Sequence, residues 1–332
     1  MSETAEEVVA QVEDEIKKTA VTQGTYTFDP PVRSIFSPEN LDPVIKVLVP
    51  TTAPIRAALP RTQGLGQAAG WNKLTSRLDN TSSGTNTAVS FADASTANAT
   101  TQTYVFVSAS YKNLGRDVEI GRQQIAANRG GRLEDIRAKL EQVKTVEVML
   151  GEENLILNGN ATTTSTDFDG LFVQITSNVK NGGGGYVTAS GVGNYAQTLF
   201  EKGAEAPTHW IASSVQNQAL SNALAGTGSI QRITMDDQGN AVGGQRLARI
   251  VNPVTGNLIE VITSRYAGGN AYLLTVRDAS GQNWVEMEDL EALSIYDVPT
   301  SNHSIVSRVY ETTVLKTIGE VFQLSVGNLS MA

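Results

Sequence analysis

The chain contains no cysteine and only two histidines among its 332 residues. The absence of cysteine excludes disulfide bonds and thiolate metal sites, and it is typical of proteins made in a reducing cytosol. Neither His209 nor His303 has a second histidine or a carboxylate at the spacing of a metal site. No nucleophile-elbow, zinc-protease or phosphate-loop motif is present. We therefore expect no catalytic residue, no metal and no cofactor, and we expect that the protein is not an enzyme.

Long hydrophobic runs and a basic excess are also missing. The longest apolar run is a few residues, so we expect no transmembrane helix and no membrane partner. The acidic N-terminal segment lacks the basic start and apolar centre of a signal peptide, so export by that route is not expected. A net charge of −9 argues against a dedicated nucleic-acid binder, which would show a basic stripe. It is compatible with a container that touches nucleic acid only weakly.

Charge is nearly absent from residues 80–111, where Asp93 is the only charged residue and Thr, Ser, Ala and Asn dominate. Residues alternate in character before this stretch, at 71–78, and again near its end, at 104–109. Two such period-two runs around a Ser/Thr/Gly-rich centre predict a long antiparallel hairpin. Because a lone hairpin has too little apolar surface to be stable, we expect it to pack on another subunit.

Residues 132–157 carry the strongest helical pattern of the chain. The apolar residues that recur there at helical spacing are Leu133, Ile136, Leu140, Val143, Leu150 and Leu157. Gly151 interrupts the pattern, and the Asn-Gly pair at 158–159 is typical of a helix end. At ~1.5 Å per residue the helix would be about 40 Å long. We expect its apolar stripe to pack against the last strands of the chain.

The remaining segments alternate in character. Residues 1–45, with four prolines, are predicted to form an extended arm. The GLGQAAG segment at 64–70 has the wrong context for a dinucleotide loop and is interpreted as a hinge. Residues 194–297 alternate between predicted helices and strands, with hairpin turns at 237–240 and 255–257. Long strands are predicted at 304–316 and 320–326.

Two charged groups have two interpretations each. The acidic cluster Glu286, Glu288, Asp289 and Glu291 is interpreted as a solvated face, with a cation or partner site as the alternative. The densest basic stretch contains Arg116, Arg122, Arg129 and Arg132. These arginines would either contact DNA or pair with carboxylates of a neighbouring subunit, such as those of the acidic cluster.

Two short motifs complete the pattern: EVMLGEENLILNG at 147–159 and FDGL at 168–171. With this order of parts, the chain resembles the Hong Kong 97-type major capsid proteins of tailed bacteriophages, whose fold is shared with encapsulin shells. The resemblance implies an α+β fold with an N-arm, an extended E-loop hairpin, a P-domain with a long spine helix, and an α/β A-domain. The implied limits are 1–45 for the N-arm, 46–63 for the start of the P-domain, 64–107 for the E-loop, 108–190 for the P-domain with its spine helix at 132–157, 191–300 for the A-domain, and 301–332 for the return strands of the P-domain.

The resemblance implies a major capsid protein that self-assembles into the icosahedral shell around phage genomic DNA. The implied partners are other copies of the chain in hexamers and pentamers, a portal, separate scaffolding or decoration proteins where they are used, and double-stranded DNA bound without sequence preference. The implied location is the virion, and the host cytoplasm before assembly. Lys73 is the only lysine of the predicted loop and lies near its root, so the resemblance leaves the prototype's lysine cross-link open.

Two other functions stay open at this point. One is an encapsulin-type nanocompartment shell, which has the same fold and a protein cargo. The other is a β-rich phage tail or adhesin component, which the Thr, Ser and Asn content suggests and the long charged helix disfavours.

Overall fold

The computed structural model describes a defined part of the chain. The described residues are 53–76, 93, 103–123, 126, 136–204, 206–226, 234–235, 241–242, 247–278, 280–300 and 304–331. The predicted arm at 1–45, the centre of the predicted hairpin and the predicted helix start at 132–135 lie outside these residues. None of the helices within the described part is long and apolar enough to cross a membrane.

Five α-helices and fourteen strands are defined in the described part. The helices are α1 (Pro54–Ala58), α2 (Ile136–Asn158), α3 (Leu171–Gln174), α4 (Ala189–Glu201) and α5 (Ser214–Gly226), and a 3-10 turn covers Glu320–Phe322. The strands are β1 (Arg61–Gln63), β2 (Ala68–Ser76), β3 (Thr103–Ser110), β4 (Lys112–Gly121), β5 (Val179–Asn181), β6 (His209–Ala212), β7 (Thr234–Met235), β8 (Ala241–Val242), β9 (Arg249–Val251), β10 (Leu258–Thr263), β11 (Ala271–Leu274), β12 (Val285–Val298), β13 (Ser304–Thr317) and β14 (Leu324–Gly327).

The long helix α2 is present, and it passes through Gly151 without a break. Its burial departs from the predicted stripe. Leu140 is only half-buried, whereas Ile156 and Leu157 are fully buried. The predicted apolar stripe is therefore only partly buried in the first half of the described helix. In the second half the buried side also carries a charged residue, Glu152, which is 0% exposed.

Two glycines close the end of α2. The amide of Gly170 donates to the carbonyl of Gly159 at 2.9 Å. A Cβ on Gly159 would lie 2.3 Å from the carbonyl oxygen of Phe168, which is closer than a side chain can approach. The Asn-Gly and Gly-Leu pairs of the sequence thus have a steric cause, since the chain folds back directly onto the last helical turn.

A four-stranded sheet in the order β1-β12-β13-β4 packs against α2. Its two central strands are fourteen residues long and antiparallel, with Met287 opposite Leu315 and Val298 opposite Val306. Strand β12, which lies within the predicted limits 191–300 of the A-domain, pairs with β13 in this four-stranded sheet. The strand begins at Val285, and its first residues include the buried Val285 and Met287.

A second sheet has six strands in the order β5-β14-β11-β6-β10-β9. Helices α4 and α5 follow the predicted order of helices and strands in this region. The hairpin turn predicted at 255–257 is confirmed: β9 and β10 pair antiparallel, and Gly256 has φ +75°. The largest buried side chain of this sheet is Trp210, which is 0% exposed. Strand β14 also belongs to this sheet, although the predicted limits place residues 301–332 among the return strands of the P-domain.

A pair of leucine-to-alanine substitutions tests the burial of α2. Leu157 is 0% exposed, so Leu157→Ala should lower the unfolding free energy by ~2–5 kcal/mol. Leu140→Ala, on the half-buried part of the same helix, should cost about 1 kcal/mol. Denaturant unfolding of the unassembled subunit measures both. Equal losses would contradict the observed difference in burial.

Candidate functional site

The root of the predicted hairpin is formed by β2 and β3, which we call the hairpin root. The strands pair antiparallel, with Trp71 opposite Val107 and Ala69 opposite Ala109. These four residues form the inner face, which packs on the main core of the subunit. Trp71 is 7% exposed, and its indole Nε1 donates to the carbonyl oxygen of Thr317 at 3.2 Å. The hairpin prediction is confirmed here, and the root has its partner surface within the same subunit.

Lys73 and Glu320 hold the hairpin root from a second side. Lys73 Nζ donates to the Gln174 carbonyl oxygen at 3.3 Å and lies 3.5 Å from Glu320 Oε2. Glu320 also accepts from the backbone amide of Thr176 at 2.7 Å and from Ser177 Oγ at 2.8 Å. Burial opposes the charge of Glu320, but these hydrogen bonds outweigh it, so its pKa is lowered. Lys73 therefore has an internal structural role.

Near the start of β3, three consecutive large side chains are exposed, Tyr104 and Phe106 on the outer face of the hairpin root and Val105 on the same face as Val107. Tyr104, Val105 and Phe106 are 54%, 49% and 69% exposed, and we call them the exposed strip. Phe106 lies across Gly70 of the neighbouring strand, where a Cβ would come within 2.9 Å of its ring. The ring thus has one side on the hairpin and the other in solvent. Contiguous exposed apolar residues of this kind mark contact surfaces.

The predicted hinge at 64–70 is wrong at both of its ends. The amide of Gly64 donates to the Asp289 carbonyl oxygen at 2.8 Å. A Cβ on Gly64 would lie 2.4 Å from the hydroxyl oxygen of Tyr111, so the glycine is required by close packing. Residues 68–70 already belong to β2. The segment therefore attaches the hairpin root firmly to the four-stranded sheet.

The acidic cluster of the sequence is largely internal, and its interpretation as a solvated face is wrong for three of its four residues. Glu286 and Asp289 are 7% and 8% exposed. Lys316 Nζ lies 2.9 Å from Glu286 Oε1 and also binds Glu288. Burial would raise the pKa of Glu288, but hydrogen bonds from Lys316 and Tyr111 outweigh it and lower that pKa. Burial and Glu288 together raise the pKa of Tyr111 to about 12.

A second charged group joins five elements, and we call it the arginine–carboxylate cluster. Its members are Arg56 of α1, Arg61 of β1, Glu152 of α2, Asp289 of β12 and Glu311 of β13. Glu152 accepts hydrogen bonds from both arginines. Arg56 Nη2 also donates to Glu311 Oε2 at 2.9 Å, and Arg61 Nη1 donates to Asp289 Oδ2 at 2.8 Å. The cluster fixes the segment before the hairpin root to the long helix α2 and to the four-stranded sheet.

Sequence reasoning missed this cluster entirely. Arg56 and Glu311 are 255 residues apart in the chain, and no local spacing connects them. One signal was available: Glu152 and Glu153 interrupt the apolar pattern near the end of the predicted helix. A charged pair at positions that should face a core indicates buried partners, which could have been arginines.

Of the two histidines and the four arginines of the basic stretch, the structure describes His209, Arg116 and Arg122, and Arg129 and Arg132 lie outside the described residues. His209 Nδ1 lies 2.7 Å from Thr208 Oγ1, and burial lowers the pKa of this histidine. His303 lies outside the described residues. Within the described residues, no group of three or more His, Cys, Asp or Glu side chains is placed to hold a metal. Arg116 and Arg122 are exposed, and Glu286, Glu288 and Asp289, proposed as their partners on a neighbour, pair within the subunit.

Comparisons with known proteins agree with this architecture. The family model of the SU10 major capsid protein matches residues 17–294. The holo-SrpI encapsulin complex from Synechococcus elongatus PCC 7942 has a TM-score of 0.59 at 12% identity, over 96% of this chain and 96% of that chain. The capsid of the native GTA particle has a TM-score of 0.61 at 9% identity, over 93% and 100% of the two chains. The Mycobacterium phage Bobi structure has a TM-score of 0.55 at 8% identity, over 94% and 97%.

The solved structures bear on the fold of the chain, and the family model bears on its family. At these identities the solved structures show the fold alone, which is the α+β Hong Kong 97-type fold that the sequence predicted. A comparison with curated proteins finds no significant match. The family model covers most of the chain and therefore shows the family. The chain belongs to the SU10 major capsid protein family, and it is a structural protein of the phage virion that self-assembles into the capsid shell.

Proposed function

We propose that the protein assembles as hexamers and pentamers into a closed icosahedral shell around double-stranded phage DNA. The observation that carries this proposal is the exposed strip on a firmly attached hairpin root. Tyr104, Val105 and Phe106 lie on a strand pair whose inner face is fixed by Trp71 and Lys73. A rigid root can hold an outward apolar surface in one orientation, which repeated contacts between identical subunits require.

The partner of the exposed strip is a second copy of the chain. The strip is exposed on the subunit alone, and the family's function is to form a shell from many copies. The protein must therefore bury such a surface in its assembled state, because exposed aromatic residues at this density lead to association. The predicted loop 64–107 would reach the neighbour through residues beyond the described root.

The four-stranded sheet and α2 form the proposed P-domain, and the six-stranded sheet with α4 and α5 forms the proposed A-domain. In this division β12 belongs to the P-domain, which modifies the limits of 191–300 for the A-domain. Residues 1–45 form the proposed N-arm. A portal and separate scaffolding or decoration proteins are proposed as further partners, and the host cytoplasm is the proposed location before assembly.

The proposed contact with DNA is weak and independent of sequence. The net charge of −9 makes the average potential around the subunit repulsive to phosphates. Local attraction would come from a few exposed basic side chains such as Arg116 and Arg122. Such a wall can enclose DNA without fixing it, which suits a container that must later release its contents.

Electron microscopy and a content assay test the proposal. The full-length protein should form closed shells or capsomer rings in negative stain. Particles purified from phage-producing cells should protect double-stranded DNA from nuclease. The unassembled subunit should bind duplex DNA with a Kd no tighter than about 10⁻⁶ M at physiological salt, the range of non-specific binding. Tight, sequence-selective binding in a gel-shift assay would contradict the container function.

The encapsulin-type compartment is the alternative that this assay distinguishes. It is favoured by one observation, the alignment of 96% of this chain with 96% of the SrpI encapsulin chain. Nuclease-resistant particles that contain a folded protein cargo and no DNA would support the compartment. Particles that contain DNA and no such cargo would exclude it.

A further inference from the structure

The arginine–carboxylate cluster contains more acids than bases. Three carboxylates, those of Glu152, Asp289 and Glu311, meet the two guanidinium groups of Arg56 and Arg61. The three acidic residues are 0%, 8% and 1% exposed, so solvent does little to stabilise the extra negative charge. A buried acid without a matching base usually takes up a proton instead of remaining charged.

The hydrogen bonds indicate which carboxylate holds that proton. Glu152 uses both oxygens, one on each arginine. Asp289 binds Arg61 with both oxygens and also accepts from Thr313 Oγ1 at 2.7 Å. Glu311 uses only Oε2, and its buried Oε1 has no hydrogen-bond partner. The proton therefore belongs on Glu311, because this carboxylate receives one arginine hydrogen bond on one oxygen and none on the other.

The charged surroundings of Glu311 are defined on each packed element. Arg56 faces it from α1, Arg61 from β1 and Glu152 from α2. Glu153 of the same helix has separate partners, since it accepts from Ser264 Oγ at 3.1 Å and from a backbone amide. Asp289 of β12 bonds to Arg61 and lies opposite Thr313 of β13, and the residue of β4 opposite Glu311 is Leu114, which carries no charge.

We propose that the arginine–carboxylate cluster is a proton-sensitive latch that holds α1 and β1 on the long helix α2 and on strands β12 and β13 of the four-stranded sheet. With one proton bound, two acids balance two arginines and the cluster is neutral. Loss of the proton leaves an unbalanced negative charge in the interior. The segment weakened by this charge is the one that leads directly into the hairpin root, so the latch controls how firmly the root is held.

The direction of the pH effect follows from the shift of Glu311. Burial, together with the charge of Glu152, raises the pKa of Glu311 from 4.5 to about 7. Between these two values the folded subunit holds more protons than the unfolded chain. The unfolding free energy contributed by this group is therefore fully present below the unfolded pKa of 4.5, and it is lost as the pH rises to about 7.

Hydrogen exchange on the unassembled full-length subunit tests the latch without requiring shell assembly, so its result is independent of the proposed function. The amides of residues 55–59 and 61–63, corrected for intrinsic exchange rates, should lose about tenfold in protection between about pH 6 and about pH 8. Glu311→Gln imitates the protonated acid and should remove this change. Glu152→Gln removes the repelling neighbour and should move the change to lower pH. Glu291→Gln, an exposed acid in the same sheet, should behave like the wild type.

A wild-type subunit whose protection does not depend on pH would overturn the proposal, and so would a Glu311→Gln subunit that keeps the full change. If Glu311→Gln fails to fold, infrared spectroscopy of the wild type decides. A carbonyl band of a buried protonated carboxyl group should then be present at about pH 6, absent at about pH 8, and unchanged in Glu153→Gln, the control that is needed because burial also raises the pKa of Glu153. Absence of that band at both pH values would show that Glu311 is always ionised and would contradict the proposal.

Discussion

Replacing Arg56 by methionine is expected to cost the unassembled subunit about 3–5 kcal/mol of unfolding free energy. Arg56 bonds to both Glu152 and Glu311, and these carboxylates are 0% and 1% exposed. Methionine keeps most of the volume of the arginine stem but leaves three buried acids with one base. An uncompensated buried charge is the most expensive result of breaking an ion pair, and this accounts for the size of the effect.

The matched control is Arg308→Met. Arg308 forms a two-point ion pair with Asp117, with Nε–Oδ1 at 2.6 Å and Nη2–Oδ2 at 2.8 Å, but the pair lies on the surface. Solvent screens this pair, so its loss should change stability little. Denaturant unfolding monitored by circular dichroism measures both variants. Similar losses in the two would show that burial of the cluster is not what makes Arg56 important.

Replacing Phe106 by serine is expected to abolish closed shells while leaving the subunit folded. The ring is 69% exposed, so its loss should change the unfolding free energy by less than about 0.5 kcal/mol. At an interface, truncation of a central aromatic residue costs about 2 kcal/mol or more per contact. Since a shell repeats each contact in every copy, this loss multiplies, and assembly should fail at concentrations where the wild type assembles.

The control for this variant is Ser108→Ala, which lies on the same outward side of β3 and removes only a small polar group. Sedimentation velocity and negative-stain microscopy should show shells for Ser108→Ala and free subunits or small oligomers for Phe106→Ser. Normal shells from Phe106→Ser would remove the exposed strip from the assembly contacts, whatever the rest of the hairpin does.

Local patterns in the sequence predicted the elements well where a single rule decides the structure. The alternation around Trp71 and Phe106 predicted the paired strands of the hairpin root, because side-chain direction in a strand has a period of two. The Thr-Gly-Asn turn predicted the β9–β10 hairpin, because a positive φ at Gly256 is a local requirement. The long helix was predicted from its spacing of apolar residues, although its first half buries less than that spacing indicates.

Longer-range features were not predicted because they depend on pairings between distant segments. Nothing in the letters of β12 shows whether it pairs with β11 or with β13, yet this choice sets the boundary between the two sheets. The arginine–carboxylate cluster depends on five segments meeting at one point. From the sequence alone, Arg56 and Arg61 are each predicted to be exposed, because arginine is rarely buried without a partner and the partner on α2 is distant in the chain.

The position of Trp71 makes the attachment of the hairpin root visible to optical spectroscopy. The chain has three tryptophans, and Trp71 alone lies on the hairpin, with its indole nitrogen bound to the Thr317 carbonyl oxygen. Indole emission depends on the polarity around the ring and on this hydrogen bond. The difference in fluorescence between the wild type and Trp71→Phe therefore isolates the signal of the root. Shell formation could therefore be followed in real time, in unlabelled protein, from the signal of the hairpin root.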